Sequence, residues 1–224
     1  MTTTEPKATR KPAVVAIGDV HGCASLLQEA IWPHLGSGAE LIFLGDLIDR
    51  SPESDGDQQV IELVRELQDT PEAYGLAGVT VLRGNHEQML LDAMAEEEPG
   101  KATDLWLMNA GDPEFLPVAR EHQDWLEALP LMAIRGSYLF VHAGVRPGIP
   151  LAEQKADDLL WIRQTFLSRD HGMPFTVVHG HTFSSDYKVT YLPHRIGIDT
   201  GAFISGKLTV FPLDPWNQQH ENEA

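Results

Sequence analysis

Five times along this chain a short apolar run stops abruptly at a polar group able to bind a metal. Residues 13–17 lead into Gly18-Asp19-Val20-His21-Gly22, and residues 41–44 into Gly45-Asp46-Leu47-Ile48-Asp49-Arg50. Residues 79–82 lead into Arg83-Gly84-Asn85-His86-Glu87, residues 138–141 into His142-Ala143-Gly144, and residues 175–178 into His179-Gly180-His181-Thr182. Short runs rich in Val, Ile, Leu and Phe, bounded by glycine, read as buried strands. Strands that end in charged residues deliver them to the crevice outside a sheet's C-terminal edge, where α/β folds bind ligands. Between the early strands the apolar residues fall at helical spacing. Leu26, Leu27, Ala30, Ile31 and His34 form one stripe, Val60, Ile61, Val64 and Leu67 a second, and Met89, Leu90, Ala93 and Met94 a third. Strands alternating with helices first and clustering later predict an α/β chain, a mixed β-sandwich flanked by helices.

The rest of the chain fits around this frame. Residues 96–130 are helical and loop-rich, with Trp106, Phe115 and Trp125 as packing anchors, and read as an insertion over the site within one domain spanning residues 12–213. Residues 131–134 and 138–141 read as strands around a Gly136-Ser137 turn, and residues 157–166 as one short helix. Residues 187–191, 195–198 and 207–211 read as short strands. The polar ends, residues 1–11 and 214–224, read as disordered tails.

Charge narrows the function. Lys and Arg total 16 against 33 Asp and Glu, a formal charge of −17. That field repels phosphate backbones and argues against a nucleic-acid partner. The single cysteine, Cys23, allows neither an intrachain disulfide nor a thiolate-built zinc site, which fits a reducing cytoplasm. No apolar run approaches the roughly 18–20 residues of a membrane span, and no signal-peptide core is visible.

The groups at the strand ends are Asp19 and His21, then Asp46, Asn85, His142 and His181. Carboxylate, imidazole and amide oxygen suit manganese, iron, zinc or magnesium. Two divalent ions roughly 3.5–4 Å apart need a bridging carboxylate and activate water for in-line displacement. Asp46, central in the series, reads as that bridge. Two divalent ions against two aspartates leave net positive charge, which favours a phosphoester over a neutral amide. His179 and His181 stand only two residues apart, so either could be the last ligand by position. Arg83 could touch phosphate or anchor loop residues, Asp199 reads as a turn-former before Gly201, and Cys23 as a small buried residue.

The blocks Gly18–Gly22, Gly45–Arg50, Gly84–Glu87 and His142–Gly144 resemble the signatures of PPP-type metallophosphatases, within the calcineurin-like metallophosphoesterase superfamily. Gly180-His181-Thr182 and Ile198-Asp199-Thr200-Gly201-Ala202 are similar to the C-terminal blocks of the bacterial and phage branch, which includes phage lambda protein phosphatase. The resemblance covers about residues 14–211. It implies an αββα-layered fold and two divalent metals, manganese first, with Fe, Zn, Ni, Co or Mg compatible. It implies that Asp19, His21 and Asp46 hold one ion, and Asp46, Asn85, His142 and His181 the other, which selects His181 over His179. A bridging hydroxide would attack phosphorus, His86 would protonate the leaving alkoxide, and Asp49 would support its ring. Arg50 and Arg163 would grip phosphate, their planar forks suiting phosphoryl oxygens. Where the family often has Gly after the Asp-Arg pair, this chain has Ser51-Pro52, so the loop beyond Arg50 is expected to take a different path. Asp49 and Glu87 favour bacterial-type protein phosphatases, acting on phosphoserine and phosphothreonine or with dual specificity on phosphotyrosine too, in phosphoproteins or small phosphoesters, over symmetrical diadenosine tetraphosphate hydrolases, which typically lack both.

Overall fold

A computed structural model describes residues 12–214, so both sequence tails lie outside the described residues apart from Asp214. The chain runs β1 (Val14–Ile17), α1 (Ala24–Ile31), β2 (Glu40–Phe43), α2 (Gly56–Asp69), β3 (Gly78–Val81) and α3 (Asn85–Met94). Three short helices follow in one stretch before the second sheet: α4 (Lys101–Met108), α5 (Leu116–Glu121) and α6 (Gln123–Ala128), with a 3-10 turn at Pro113–Phe115. Then come β4 (Met132–Arg135), β5 (Tyr138–Val141), α7 (Ala156–Trp161), α8 (Gln164–Leu167) and β6 (Thr176–His179). The described chain closes with β7 (Thr190–Leu192), β8 (Arg195–Gly197), α9 (Ala202–Ser205) and β9 (Val210–Leu213).

Two mixed sheets result, in the orders β3-β2-β1-β9 and β4-β5-β6-β8-β7. In the first, β1, β2 and β3 are parallel and β9 joins β1 antiparallel. In the second, β5, β6 and β8 are parallel between antiparallel edges. Because successive strand residues face opposite sides, β1 divides its apolar residues between two cores. Val14 and Ala16 pack with Ile42, Leu44, Phe140, Val178 and Ile196 between the sheets. Val15 and Ile17 turn the other way, onto Leu27, Val60, Ile61 and Leu90 of the helices. On the outer face of the second sheet, Leu139, Val141 and Val177 pack against Leu159, Ile162 and Phe166. The layers are therefore helix, sheet, sheet, helix. Trp106, Phe115, Ala119 and Leu126 from the 96–130 stretch belong to the same core as α1 and α2. No helix among the described residues is long and apolar enough to cross a membrane.

Several local expectations need correction. The helix expected over residues 157–166 is two helices, because Ile162 turns extended to bury itself and Arg163 leaves helical geometry (φ −128°, ψ −105°). The first helix stops at Ile31 and tightens into a 3-10 turn over Trp32–His34, where Pro33 sits, leaving His34 only half-buried. Asn85 opens α3 rather than closing a strand. The strand expected from residue 187 starts at Thr190, because Ser184 Oγ closes a turn by accepting from Lys188 N at 2.9 Å. The last strand begins at Val210, residues 207–209 being irregular, and α9 (Ala202–Ser205) lies before them, after Gly201, whose φ is 62°.

The inter-sheet core should be the most sensitive to truncation, since it is enclosed on both sides. Phe140, fully buried there, gives the test. Phe140→Ala should cost about 3–5 kcal/mol, read as a lower urea midpoint with an unchanged m-value.

Candidate dinuclear metal centre

The site forms where β1, β2, β5 and β6 and the start of α3 release their chains on one edge. After β2, Gly45 (φ 93°) and Asp46 (φ 50°) turn left-handed. That turn is clamped by Glu87 in the first turn of α3. Its carboxylate accepts from Asp46 N (2.9 Å), Leu47 N (2.7 Å) and Gly84 N (2.8 Å). Asp46 answers by accepting at Oδ1 from His86 N at 3.0 Å. A Cβ on Gly84 would collide with Asp46 N and Oδ1, so only glycine lets the two loops meet this closely. His21, Asp46, Asp49, Arg50 and His181 all have positive φ. Such conformations cost of order 1–3 kcal/mol each and persist only where surrounding contacts over-determine them.

Two donor groups share Asp46. His21, Asp46 and His86 place ligand atoms within 4.8 Å of one another, as do Asp46, His142 and His181. The two carboxylate oxygens divide between them: Oδ2 lies 3.6 Å from His21 Nε2 and Oδ1 3.3 Å from His142 Nε2. Both rings are oriented from behind. His21 Nδ1 donates to Ile48 O at 2.9 Å and His142 Nδ1 to Leu44 O at 3.0 Å. Backbone carbonyls fix metal-ligating histidines in this way, leaving the Nε2 lone pair forward.

The donor set fits a pair of cations. His142 Nε2 faces Asn85 Oδ1 at 2.8 Å and His181 Nδ1 at 3.2 Å. With Nδ1 carrying the proton, Nε2 and the amide oxygen are two acceptors in contact, an arrangement that a cation resolves. Asp19 stands outside both trios. Its Oδ2 accepts from His181 N at 2.9 Å, while its buried Oδ1 has no partner. Burial and the charges of Asp199 and Asp46 push Asp19 well above the usual carboxylate range. Burial pushes His21 down to about 3 and His181 down to about 2, so both rings are neutral, as ligation requires.

His86 differs from the other histidines. Its Nδ1 lies 2.6 Å from Asp49 Oδ2 and its buried Nε2 has no partner. Burial opposes its protonation, but the Asp46 charge and the Asp49 hydrogen bond outweigh that and raise it above the ordinary value. Asp49 in turn accepts from Trp106 Nε1, at 3.0 Å to Oδ1 and 3.1 Å to Oδ2.

A cavity of about 360 Å³ is lined by Asp19, Asp46, Asn85, His86 and His181, with Arg50, Arg163 and Asp199 among its walls and Trp161, Phe183 and Phe203 as its aromatic residues. A larger one of about 660 Å³ shares only Arg50 with that set and is otherwise bordered by an acidic loop that includes Glu53, Asp55 and Asp57. The smaller cavity is the candidate site, because Asp19, Asp46, Asn85 and His181 open into it. Arg50 reaches His21 Nε2 at 3.0 Å and stacks over Phe203 at 5.2 Å, while Arg163 reaches Thr182 Oγ1 at 3.3 Å. His179 is buried elsewhere, between Arg195 (3.2 Å) and the edge of Phe166 (5.1 Å). Arg83 anchors Gln88 and the Glu127 carbonyl, away from the cavity. Asp199 shapes its turn by accepting from Gly201 N at 2.8 Å and lines the cavity as well. Cys23 stays a thiol, pushed up to about 11 by burial and by nearby Glu53 and Asp57. Ser51 Oγ lies 3.0 Å from Gly22 O and 2.7 Å from Glu53 O, which ties the loop after Arg50 back to the His21 block.

Sequence reasoning missed Trp106 as a partner of the site, because it lies 57 residues from Asp49 in a stretch patterned only as helix. It also missed Asp57, whose Oδ2 accepts from Asp49 N at 3.1 Å. Glu87 was visible as part of a block, but its three-donor clamp was not. Glu87→Gln puts an amide NH₂ where only acceptors fit. The variant should lose metal on dialysis and unfold at lower temperature, checked by elemental analysis and thermal melting.

The chain resembles known proteins over most of its length. Residues 12–200 match the Calcineurin-like phosphoesterase family. Serine/threonine-protein phosphatase 1 of Salmonella typhimurium is 31% identical over 88% of this chain and 90% of its own. A symmetrical bis(5'-nucleosyl)-tetraphosphatase of Aromatoleum aromaticum is 34% identical over 61% of this chain but only 45% of its own length. The crystal structure of a cold-active protein-tyrosine phosphatase from a psychrophilic Shewanella superposes with a TM-score of 0.59 at 19% identity, over 89% of this chain and 75% of that one, a likeness of fold. With its layered sheets and its converging aspartates, histidines and asparagine, this chain belongs to the calcineurin-like phosphoesterase family of metal-dependent phosphoester hydrolases.

Proposed function

We propose that this protein is a phosphomonoesterase with two divalent manganese ions, and that it dephosphorylates serine and threonine side chains of cytoplasmic phosphoproteins. The observation that carries this reading is Asp46, whose two oxygens face two separate histidine groups beside the His86–Asp49 pair. In it, Asp19, His21 and Asp46 hold one ion, and Asp46, Asn85, His142 and His181 the other. Bound there, the ions supply electrophilic charge and a water activated at neutral pH. The protein's own groups do the rest. Arg50 and Arg163 border the cavity and orient the phosphoryl group through their planar donor forks. His86, which lines the cavity and whose Nε2 has no hydrogen-bond partner, keeps a proton there and gives it to the departing oxygen. Asp49 holds the ring by accepting from Nδ1 and favours the charged imidazolium.

Two observations favour a monoester over a dinucleoside polyphosphate. An alkoxide leaves only with a proton, whereas the phosphate leaving group of an anhydride needs less help, and the buried Asp49–His86 pair is an apparatus for proton delivery. The resemblance to the Salmonella phosphatase also spans nearly both whole chains, while that to the tetraphosphatase stops at less than half of it. The second reading, symmetrical hydrolysis of diadenosine tetraphosphate, rests on that shorter likeness.

One Mn²⁺ assay tests the choice by comparing phosphoserine and phosphotyrosine peptides, p-nitrophenyl phosphate and diadenosine tetraphosphate side by side. The phosphoserine peptide should be turned over with the highest kcat/KM of the natural esters. Faster cleavage of the dinucleotide would reverse the assignment. His86→Asn should lower kcat by roughly 10²–10⁴ for the phosphoserine peptide with metal content intact. The loss should shrink for p-nitrophenyl phosphate, whose leaving group needs no acid; an equal loss on both would remove the acid role.

A further inference from the structure

We propose that Trp106 is a positioning residue of the acid pair: its indole N–H holds both oxygens of Asp49 and so fixes the carboxylate against His86. The inference rests on the reading of His86 as the acid. Asp49 is fully buried and sits in left-handed backbone (φ 66°), with its own N–H spent on Asp57 Oδ2. Its Oδ2 takes the His86 proton donor at 2.6 Å, and Oδ1 is engaged by Trp106 at 3.0 Å. A charged oxygen in so dry a place needs a donor, and the indole N–H is donor-only, so it can favour only the ionised carboxylate. An ionised, rigid Asp49 is what keeps the imidazole turned with Nε2 forward.

The indole is itself held in one place. Trp106 is fully buried in α4, and Gly111 N returns to Trp106 O at 3.0 Å, closing the end of that helix. A Cβ on Gly111 would run into the indole ring, so the turn lies directly on it. The same turn accepts Arg50 N at Ala110 O, 3.3 Å away. One short stretch outside the metal-bearing loops therefore seats both the partner of Asp49 and the backbone of the phosphate-binding Arg50.

A buried tryptophan that had merely found an acceptor would affect all substrates alike, and this separates the two accounts. Trp106→Phe should lower kcat for the phosphoserine peptide roughly 10- to 100-fold, yet less than about threefold for p-nitrophenyl phosphate. In an Asp49→Asn background the same change should cost less than about twofold, since the charged carboxylate that Trp106 orients against His86 is gone. Site-specific 3-benzothienylalanine at position 106 keeps the bicyclic shape without the N–H, and should reproduce the substrate split if the phenylalanine variant does not fold. Wild-type turnover of the peptide by the benzothienyl protein would overturn the proposal. So would equal losses on both substrates, or an undiminished loss in the Asp49→Asn background. If His86→Asn itself loses equally on both substrates, the acid reading fails. If His86→Asn shows the split and the Trp106 variants do not, only the role of Trp106 fails.

Discussion

The centre depends on one buried carboxylate that is not itself a ligand in the proposed set. Glu87 accepts three backbone N–H groups, one from its own helix start and two from the turn after β2. Reaching back to the first N–H is ordinary helix capping. Taking the other two makes it a clamp between separate strand ends. It holds Asp46 in a left-handed turn that no aspartate adopts cheaply, and aims the two oxygens of Asp46 in two directions. Burial and the neighbouring Asp46 charge push Glu87 up to about 7, while its three donors pull against that.

Around that clamp the fold gathers more buried negative charge than its own cations offset. Asp19, Asp46, Glu87 and Asp199 are all nearly inaccessible. Asp46 alone is held below the usual carboxylate range: burial would raise it, and the histidines on either side overcome that. Isolated charges in such a place cost several kcal/mol each, and divalent ions at the orphaned Asp19 Oδ1 and the His142–Asn85 acceptor contact would relieve them. The two-sheet sandwich makes this affordable. Its inner and outer apolar layers are independent of the site edge, so the strand ends are free to carry charge.

The parts legible in sequence were those where local pattern and function coincide. Apolar runs ending in Gly-Asp or Gly-Asn located the strand ends, and the same blocks named Asp19, His21, Asp46, Asn85, His86 and His142, all of which come together. The choice of His181 over His179 came from its block, and its physical cause is a left-handed turn at His181 after β6 ends. Illegible were contacts set by tertiary packing. Nothing at Trp106 announces that its helix will fold back over Asp49, and nothing at Asp57 announces that its side chain will hold the backbone there. The single helix read over residues 157–166 failed for a related reason: burying Ile162 outweighed helical continuity, and the break sends Arg163 to the cavity.

The central claim is that Asp46 bridges two ions. Anomalous diffraction from crystals grown with Mn²⁺ tests it directly, because it locates the metals without assuming their ligands. Two peaks roughly 3.5–4 Å apart are predicted, one beside Asp19 and His21 and the other beside Asn85, His142 and His181, with the Asp46 carboxylate between them. A single peak, or two peaks that do not share Asp46, would contradict the account.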